Sequence, residues 1–393
     1  MRRLKIAIAG AGLGGLHAAA ALARRGAEVV VVERAERLGE AGAGIQVSPN
    51  GARMLARIGA LSAVERRAFQ PEAAEMRLGR SGATILRLPL GAAAERRWKA
   101  PYLQVHRADL MEALEAAARA AGAEIRLGAA VADASPEGAL TLETGETVGA
   151  DVILGADGVR SRVSAALFGA REPRFTGQIA WRGTVPARAL PKGLVRPSAT
   201  VWVGPGRHLV TYYLRRGDTV NFVAVEERDA WTEESWSEKG DLGAMRAAFA
   251  GWSREATAVL EAAEECLLWG LFDHPPLPAW RAGRAALLGD ACHPMLPFMA
   301  QGAVQAFEDG AALARLLSDE AVAPETALAA YEVVRRPRAT RVQMVARANA
   351  RLFHARSPLE QAARYAPIAL GARLSSSLAM SRLDWLYGHV EAA

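Results

Sequence analysis

Cysteine is nearly absent. Cys266 and Cys292 are the two present in 393 residues, which excludes a disulfide framework, and no His or Cys stands at zinc-type spacing. Lysine is almost as scarce, confined to Lys5, Lys99, Lys192 and Lys239, so the formal charge of +6 comes mostly from arginine. Arginine alongside abundant alanine reads as compositional bias and not as a nucleic-acid footprint, although a basic surface would still attract anionic small molecules. The densest basic run, Arg335 to Arg341, has no interleaved aromatic and reads as a solvated helix face. No apolar run is long and uninterrupted enough to span a bilayer. The first 23 residues imitate a secretory or twin-arginine signal, but they also complete a strand–turn–helix unit, and that favours a cytoplasmic protein. With 51% apolar and 23% charged residues the chain is globular, and its length suits two domains.

What is present is a series of ligand-binding turns. Leu4 to Ala9 is an apolar strand, followed by Gly10-Ala11-Gly12-Leu13-Gly14-Gly15, an alanine-rich helix, and a second strand, Glu28 to Val32, that ends at Glu33-Arg34. In such a βαβ unit Gly10 permits the tight turn, Gly12 lets a pyrophosphate approach the backbone, and Gly15 allows close helix packing. Glu33 is placed to accept hydrogen bonds from an adenosine ribose, and its charge argues against a 2′-phosphate. NAD and FAD both remain open at this point. A second turn, Gly155 to Ser161, again follows an apolar strand; its Asp157 either contacts ribose or pyrophosphate or caps a helix beginning near Val159.

The third element, Leu287 to Asp309, combines a strand end at Gly289-Asp290, a loop stiffened by Pro294 and Pro297, and a helix opening at Gly302-Ala303. Asp290 could hold a sugar-like chain, or merely cap a turn. Free N–H groups at Gly302 and Ala303 could meet the negative edge of an electron-rich ring. Between these elements, Met76 to Leu88 reads as a hairpin and Arg107 to Ala121 as a helix. Segments around Ile179–Val185, Thr200–Val203, His208–Leu214 and Thr219–Val225 read as antiparallel strands of an inserted second domain. Beyond Gln301 the pattern is helical. His208 and Tyr212 stand four apart on a strand and so share a face, while Tyr213 turns away. Arg182 suits either a substrate carboxylate or an ion pair, and His293 a loop-stabilising role.

The three turns in this order resemble the group A flavoprotein hydroxylases, more narrowly the salicylate hydroxylase branch with its 3-hydroxybenzoate 6-hydroxylase and 6-hydroxynicotinate 3-monooxygenase neighbours. GAGIQVSPN (42–50), VHRADL (105–110), AWRGTVP (180–186) and DWLYG (384–388) look like signatures of that family. The resemblance implies a doubly wound α/β FAD-binding domain like that of p-hydroxybenzoate hydroxylase (1–72, 98–172 and 275–345), an inserted antiparallel β-sheet substrate domain (73–97 and 173–274) and a C-terminal helical segment (346–393). It implies FAD bound at Gly10, Gly12, Leu13, Gly14, Gly15, Glu33, Arg34, Arg107, Val131, Asp157, Asp290, Pro297, Gly302 and Ala303. NAD(P)H would be a transient co-substrate, reducing a flavin that then forms a C4a-hydroperoxide with O2 and hydroxylates an aromatic acid such as salicylate or a hydroxybenzoate.

His208 would be the base, Tyr212 its hydrogen-bonding partner, and Gln301 a third polar contact, in a monomer or homodimer without nucleic-acid or membrane partners. Met299 to Ala303 is similar to the hydroxybenzoate and hydroxynicotinate enzymes. Three positions depart from the family pattern: Val304 stands where many members carry asparagine, Ser164 replaces an arginine, and Gln46 replaces the histidine of the hydroxynicotinate enzymes. The competing readings are another flavin-dependent oxidoreductase and a non-catalytic flavin-binding sensor; a halogenase would need a Trp-x-Trp-x-Ile-Pro run, which Trp231 and Trp236 do not form.

Overall fold

The computed structural model describes residues 3–39, 43–229 and 238–391. Gly42, Trp231 and Trp236 lie outside them. The chain builds two large sheets. The first runs Arg281–Ala282, Ala285–Leu287, Val152–Gly155, Lys5–Ala9, Glu28–Val32, Glu124–Arg126, parallel throughout except for its Arg281–Ala282 edge. Its strands are continuous apolar runs because helices cover both faces, and Ile6, Ile8, Val31, Ile153 and Leu287 are wholly buried. The helix Leu13–Ala23 packs against Gly302–Leu317 so closely that a Cβ on Gly310 would lie 2.9 Å from the Ala18 Cα.

The second sheet has eight strands, ordered Glu238–Lys239, Leu267–Asp273, Arg174–Pro186, Thr219–Glu227, Arg207–Leu214, Ser198–Gly204, Ala73–Leu78, Thr84–Pro89. It is not purely antiparallel as expected. Ser198–Gly204 runs parallel to Ala73–Leu78, because the 73–89 hairpin arrives from a separate stretch of chain and docks on the edge left by the meander. Trp181 and Phe222 fill the core between this sheet and the short helices Leu242–Ala248 and Arg254–Glu261.

The C-terminal part is helical, led by the 30-residue helix Pro324–Phe353. Here the expected solvated arginine face is corrected. Arg335 is wholly buried, donating to Asp309 at 2.8 Å and Glu308 at 2.6 Å, and Arg338 reaches Glu308 at 2.7 Å. Counting charges along the helix could not reveal the two carboxylates waiting on Gly302–Leu317. No helix among the described residues is long and apolar enough to cross a membrane.

Candidate active site

The glycines of the first turn divide by what a side chain would meet. Gly10 has φ +98°, and a Cβ there would come within 2.6 Å of the Ala156 carbonyl oxygen. A Cβ on Gly15 would sit 2.0 Å from the Gly10 oxygen, and one on Gly14 2.8 Å from the Ala306 Cβ. Those three are required by the protein's own packing. Gly12 is different: a Cβ there meets nothing within 4 Å. Its bareness serves space outside the protein, which fits a pyrophosphate lying against the backbone and supports a dinucleotide cofactor here. The Glu33 carboxylate accepts from the Ala11 amide at 2.8 Å and the Ala35 amide at 2.9 Å, which fixes the acid beside the turn. Arg34 is exposed next to it. The Gly128 and Ala129 amides bond back to Ala35 and Glu33, bringing the segment before Val131 to the same strand end.

A cavity of about 620 Å³ lies between the two sheets, and Gly12, Leu13, Gly14, Arg107, Asp290, Pro297, Gly302 and Ala303 all line it. The Asp290 carboxylate is open to this space and has no hydrogen-bond partner among the described residues. Its enclosed surroundings raise its pKa against the opposing pull of His293 and Arg107. The Arg107 side chain is likewise exposed toward the cavity. Gly302 starts its helix with ordinary backbone angles and open space above it, the nearest atoms to a Cβ being 3.9 Å away. A ring edge bearing negative charge fits against these free amides. Val304, one of the departures from the family pattern, packs its methyl groups over Gly51 and takes no part in the cavity.

His208 and Tyr212 face this same cavity from the second sheet, as their spacing predicts. Burial and the neighbouring His354 hold the His208 pKa well below its ordinary value, so the imidazole is neutral. Burial pushes the Tyr212 phenol up, against the pull of Arg182, so it is a hydrogen-bonding group and not an anion. Its ring lies against Gly44, where a Cβ would fall 2.5 Å from it. Arg182 also lines the cavity. Its guanidinium lies 4.7 Å over the Trp269 ring, burial lowers its pKa to about 10, and its Nε makes no hydrogen bond. No carboxylate pairs with it among the described residues, so the ion-pair alternative is not what the structure contains.

Gln301 lines the cavity, yet its amide is engaged elsewhere. It donates to Ser48 Oγ at 2.8 Å and accepts from Asn50 at 3.2 Å and Gln305 at 3.3 Å. Asn50 in turn donates to Glu308 at 2.8 Å. Gln301, expected as a third polar contact, therefore lines the cavity and also ties the loop before Gly302 to the buried carboxylate network. Asp157 follows its capping alternative: it accepts from Ser161 Oγ, the Arg162 amide at 2.7 Å and the Val163 amide at 3.2 Å, heading the helix Arg162–Phe168. That helix starts three residues later than expected. Ala156 and Gly158, flanking Asp157, reach the cavity. His293 bonds Asp309 in the buried network, the loop-stabilising role.

Sequence reasoning missed the groups behind His208. His208 Nδ1 lies 2.7 Å from His354 Nε2, and His354 Nδ1 lies 3.0 Å from Glu227 Oε1. Nothing local marks His354, the residue just after the long helix. Gln46 also lines the cavity and accepts the Tyr102 hydroxyl at 2.7 Å.

Residues 3–346 match the family model of the FAD binding domain. A 3-amino-4-hydroxybenzoate 2-monooxygenase of Streptomyces platensis is 38% identical over 98% of this chain and 96% of its own length. A 6-hydroxynicotinate 3-monooxygenase of Pseudomonas fluorescens is also 38% identical, over 88% of this chain and 91% of its own. Among solved structures, a salicylate hydroxylase substrate complex superposes with a TM-score of 0.83 at 26% identity, covering 100% of this chain and 99% of the other. HpxO of Klebsiella pneumoniae, complexed with FAD and uric acid, gives 0.84 at 26% identity, covering 98% and 97%.

Proposed function

Because this chain belongs to the FAD-binding-domain family and its relatives are FAD-dependent aromatic monooxygenases, we propose that it uses NAD(P)H and O2 to hydroxylate a ring bearing both a hydroxyl and a carboxylate. One observation carries the reading: a neutral His208 and an un-ionised Tyr212 share a cavity with Asp290 and the open start of the Gly302–Leu317 helix. Bound FAD supplies reduction by NAD(P)H and the activation of dioxygen. The turn from Gly10 to Gly15, with Glu33 and Arg34, would hold its adenosine and pyrophosphate, and the backbone at Val131 would meet its adenine. Asp290 would hold its ribityl chain, Arg107 would contact it from the cavity wall, and the Gly302 and Ala303 amides would balance negative charge on its ring. Pro297 lines the same cavity.

His208 takes the proton of the substrate hydroxyl, which raises electron density on the ring carbon to be attacked. Tyr212 hydrogen-bonds the same oxygen. Arg182 and Arg107 give the cavity a cationic character that suits an anionic acid. Gln301, through Ser48 and Asn50, positions the loop that carries Pro297 and the helix start. The consumption of NAD(P)H accords with a cytoplasmic enzyme. The test is a panel of salicylate, 3-hydroxybenzoate, 6-hydroxynicotinate and 3-amino-4-hydroxybenzoate, scored for stimulated NAD(P)H oxidation with products identified by mass spectrometry. At least one acid should stimulate oxidation and gain one oxygen; loss of CO2 in the product identifies a decarboxylative hydroxylation. No stimulation and no product with any phenolic acid overturns the reading.

A further inference from the structure

His208, His354 and Glu227 form an unbroken hydrogen-bonded line that leads out of the cavity. His208 Nδ1 and His354 Nε2 are 2.7 Å apart, and His354 Nδ1 is 3.0 Å from Glu227 Oε1. Both histidines are buried, while the Glu227 side chain is 29% exposed and its partner Arg356 is 76% exposed. The line ends in a second cleft of about 450 Å³, lined by Glu227, Gln178, Arg174 and Arg351 and separated from the first by Leu296.

The carboxylate at the outer end sets the direction of every proton in the line. Partial burial pushes the Glu227 pKa up, but hydrogen bonds from Arg356 and His354 outweigh it and hold the group below its ordinary value, so it is ionised. An ionised carboxylate only accepts, so His354 Nδ1 carries the hydrogen facing it. Burial keeps His354 neutral, against the pull of Glu227. Its Nε2 is therefore a lone pair, and the hydrogen in the 2.7 Å contact belongs to His208 Nδ1. That leaves His208 Nε2 bare, the form a general base needs.

We propose that His354 and Glu227 are a proton relay that fixes His208 as a base toward the cavity and carries the substrate's proton out to the second cleft. This rests on the aromatic hydroxylase reading of the cavity. In the outward passage the substrate O–H breaks and its electron pair stays on oxygen, while an N–H forms at His208 Nε2. The His208 Nδ1–H passes to His354 Nε2, and the His354 Nδ1–H passes to Glu227, which releases it to solvent. Both imidazoles then hold the opposite tautomer, and reprotonation of the product by the reverse passage restores them. Gln178 Nε2 lies 3.3 Å from His354 Nδ1 and its Oε1 is buried without a partner; exchanging the two amide atoms sets an acceptor beside the His354 Nδ1–H, as this arrangement requires.

The test compares wild type with His354→Gln and Glu227→Gln, all loaded with FAD. Whichever panel acid the wild type turns over is mixed rapidly with each protein in weak buffer containing a pH indicator dye. Flavin fluorescence reports binding separately from the release of the proton. Both variants should bind the acid with unchanged affinity, release its proton about 10- to 100-fold more slowly, and regain rate on addition of imidazole, which enters through the outer cleft. Wild-type proton release in both variants overturns the proposal, and so does loss of acid binding with no defect specific to the proton. Glu227→Gln decides the matter if His354→Gln does not fold. Absence of turnover by the wild type would instead strike the hydroxylase reading itself.

Discussion

At the scale of the residue, His208 and Tyr212 were legible because strand periodicity alone puts positions four apart on one face. What lies behind them was not. His354 is 146 positions from His208, and Gln301 is 253 from Ser48; such contacts exist only once the helices have docked. The same blindness hid the partners of Gln301, whose amide also holds the loop. His208→Gln is expected to keep FAD and lower coupled hydroxylation by about 10²- to 10⁴-fold, the range for loss of a positioned base. Stopped-flow turnover with flavin content measured in parallel checks it, and wild-type hydroxylation would eliminate His208 as the base. Since the His208 pKa is shifted below its ordinary 6.5, the base form persists into mild acid. The acid limb of kcat should therefore fall below pH 6.5, and a limb above that value would show an imidazole that is not desolvated. Gly12→Ala separates cofactor from packing: with nothing within 4 Å of its Cβ, the variant should fold like the parent but bind FAD weakly. Equal FAD affinity in the two proteins would place the pyrophosphate elsewhere.

At the scale of the element, the parallel strands were readable because a strand buried on both faces must be a continuous apolar run. The parallel junction between 73–78 and 198–204 was not, because strand pairing between distant segments leaves no trace in either. The Arg335 region shows the opposite failure, where local charge density pointed to water and the helix instead carries its cation into the core. Burial alone would raise Glu308 and Asp309, but Arg335, with Arg338 beside Glu308 and His293 beside Asp309, brings both to about 2. Their folded values lie below the ordinary 4.5 and 3.8, so this stabilisation is complete above those values and is lost as pH falls toward 2. Arg335→Ala removes the buried cation that Glu308 and Asp309 share, leaving each with its weaker partners, and should cost about 3–5 kcal/mol. Urea unfolding at pH 7 measures it, and a loss within 0.5 kcal/mol, about the scatter of surface substitutions, would mean the network is not structural. Because the same network reaches Asn50 and Gln301, the variant should also loosen the loop at Pro297, seen as raised uncoupled NAD(P)H oxidation.

At the scale of the whole molecule, two sheets with different jobs close on one cavity. The first supplies glycine turns and acidic strand ends, where a doubly wound sheet binds its ligands. The second brings His208, Tyr212 and Arg182 across from the other side. The order of the three turns along the chain announced this architecture, since each is a local pattern that survives without tertiary context. The cavity wall opposite the glycine turns is assembled from strands far apart in sequence, so the substrate was legible only as a class. The most direct test of the account is turnover of the stimulating aromatic acid under oxygen-18 gas with NAD(P)H. The account predicts a product whose new ring hydroxyl carries oxygen-18, formed in step with NAD(P)H consumed. A product labelled from water, or NAD(P)H oxidation that yields only hydrogen peroxide with every acid, would contradict it.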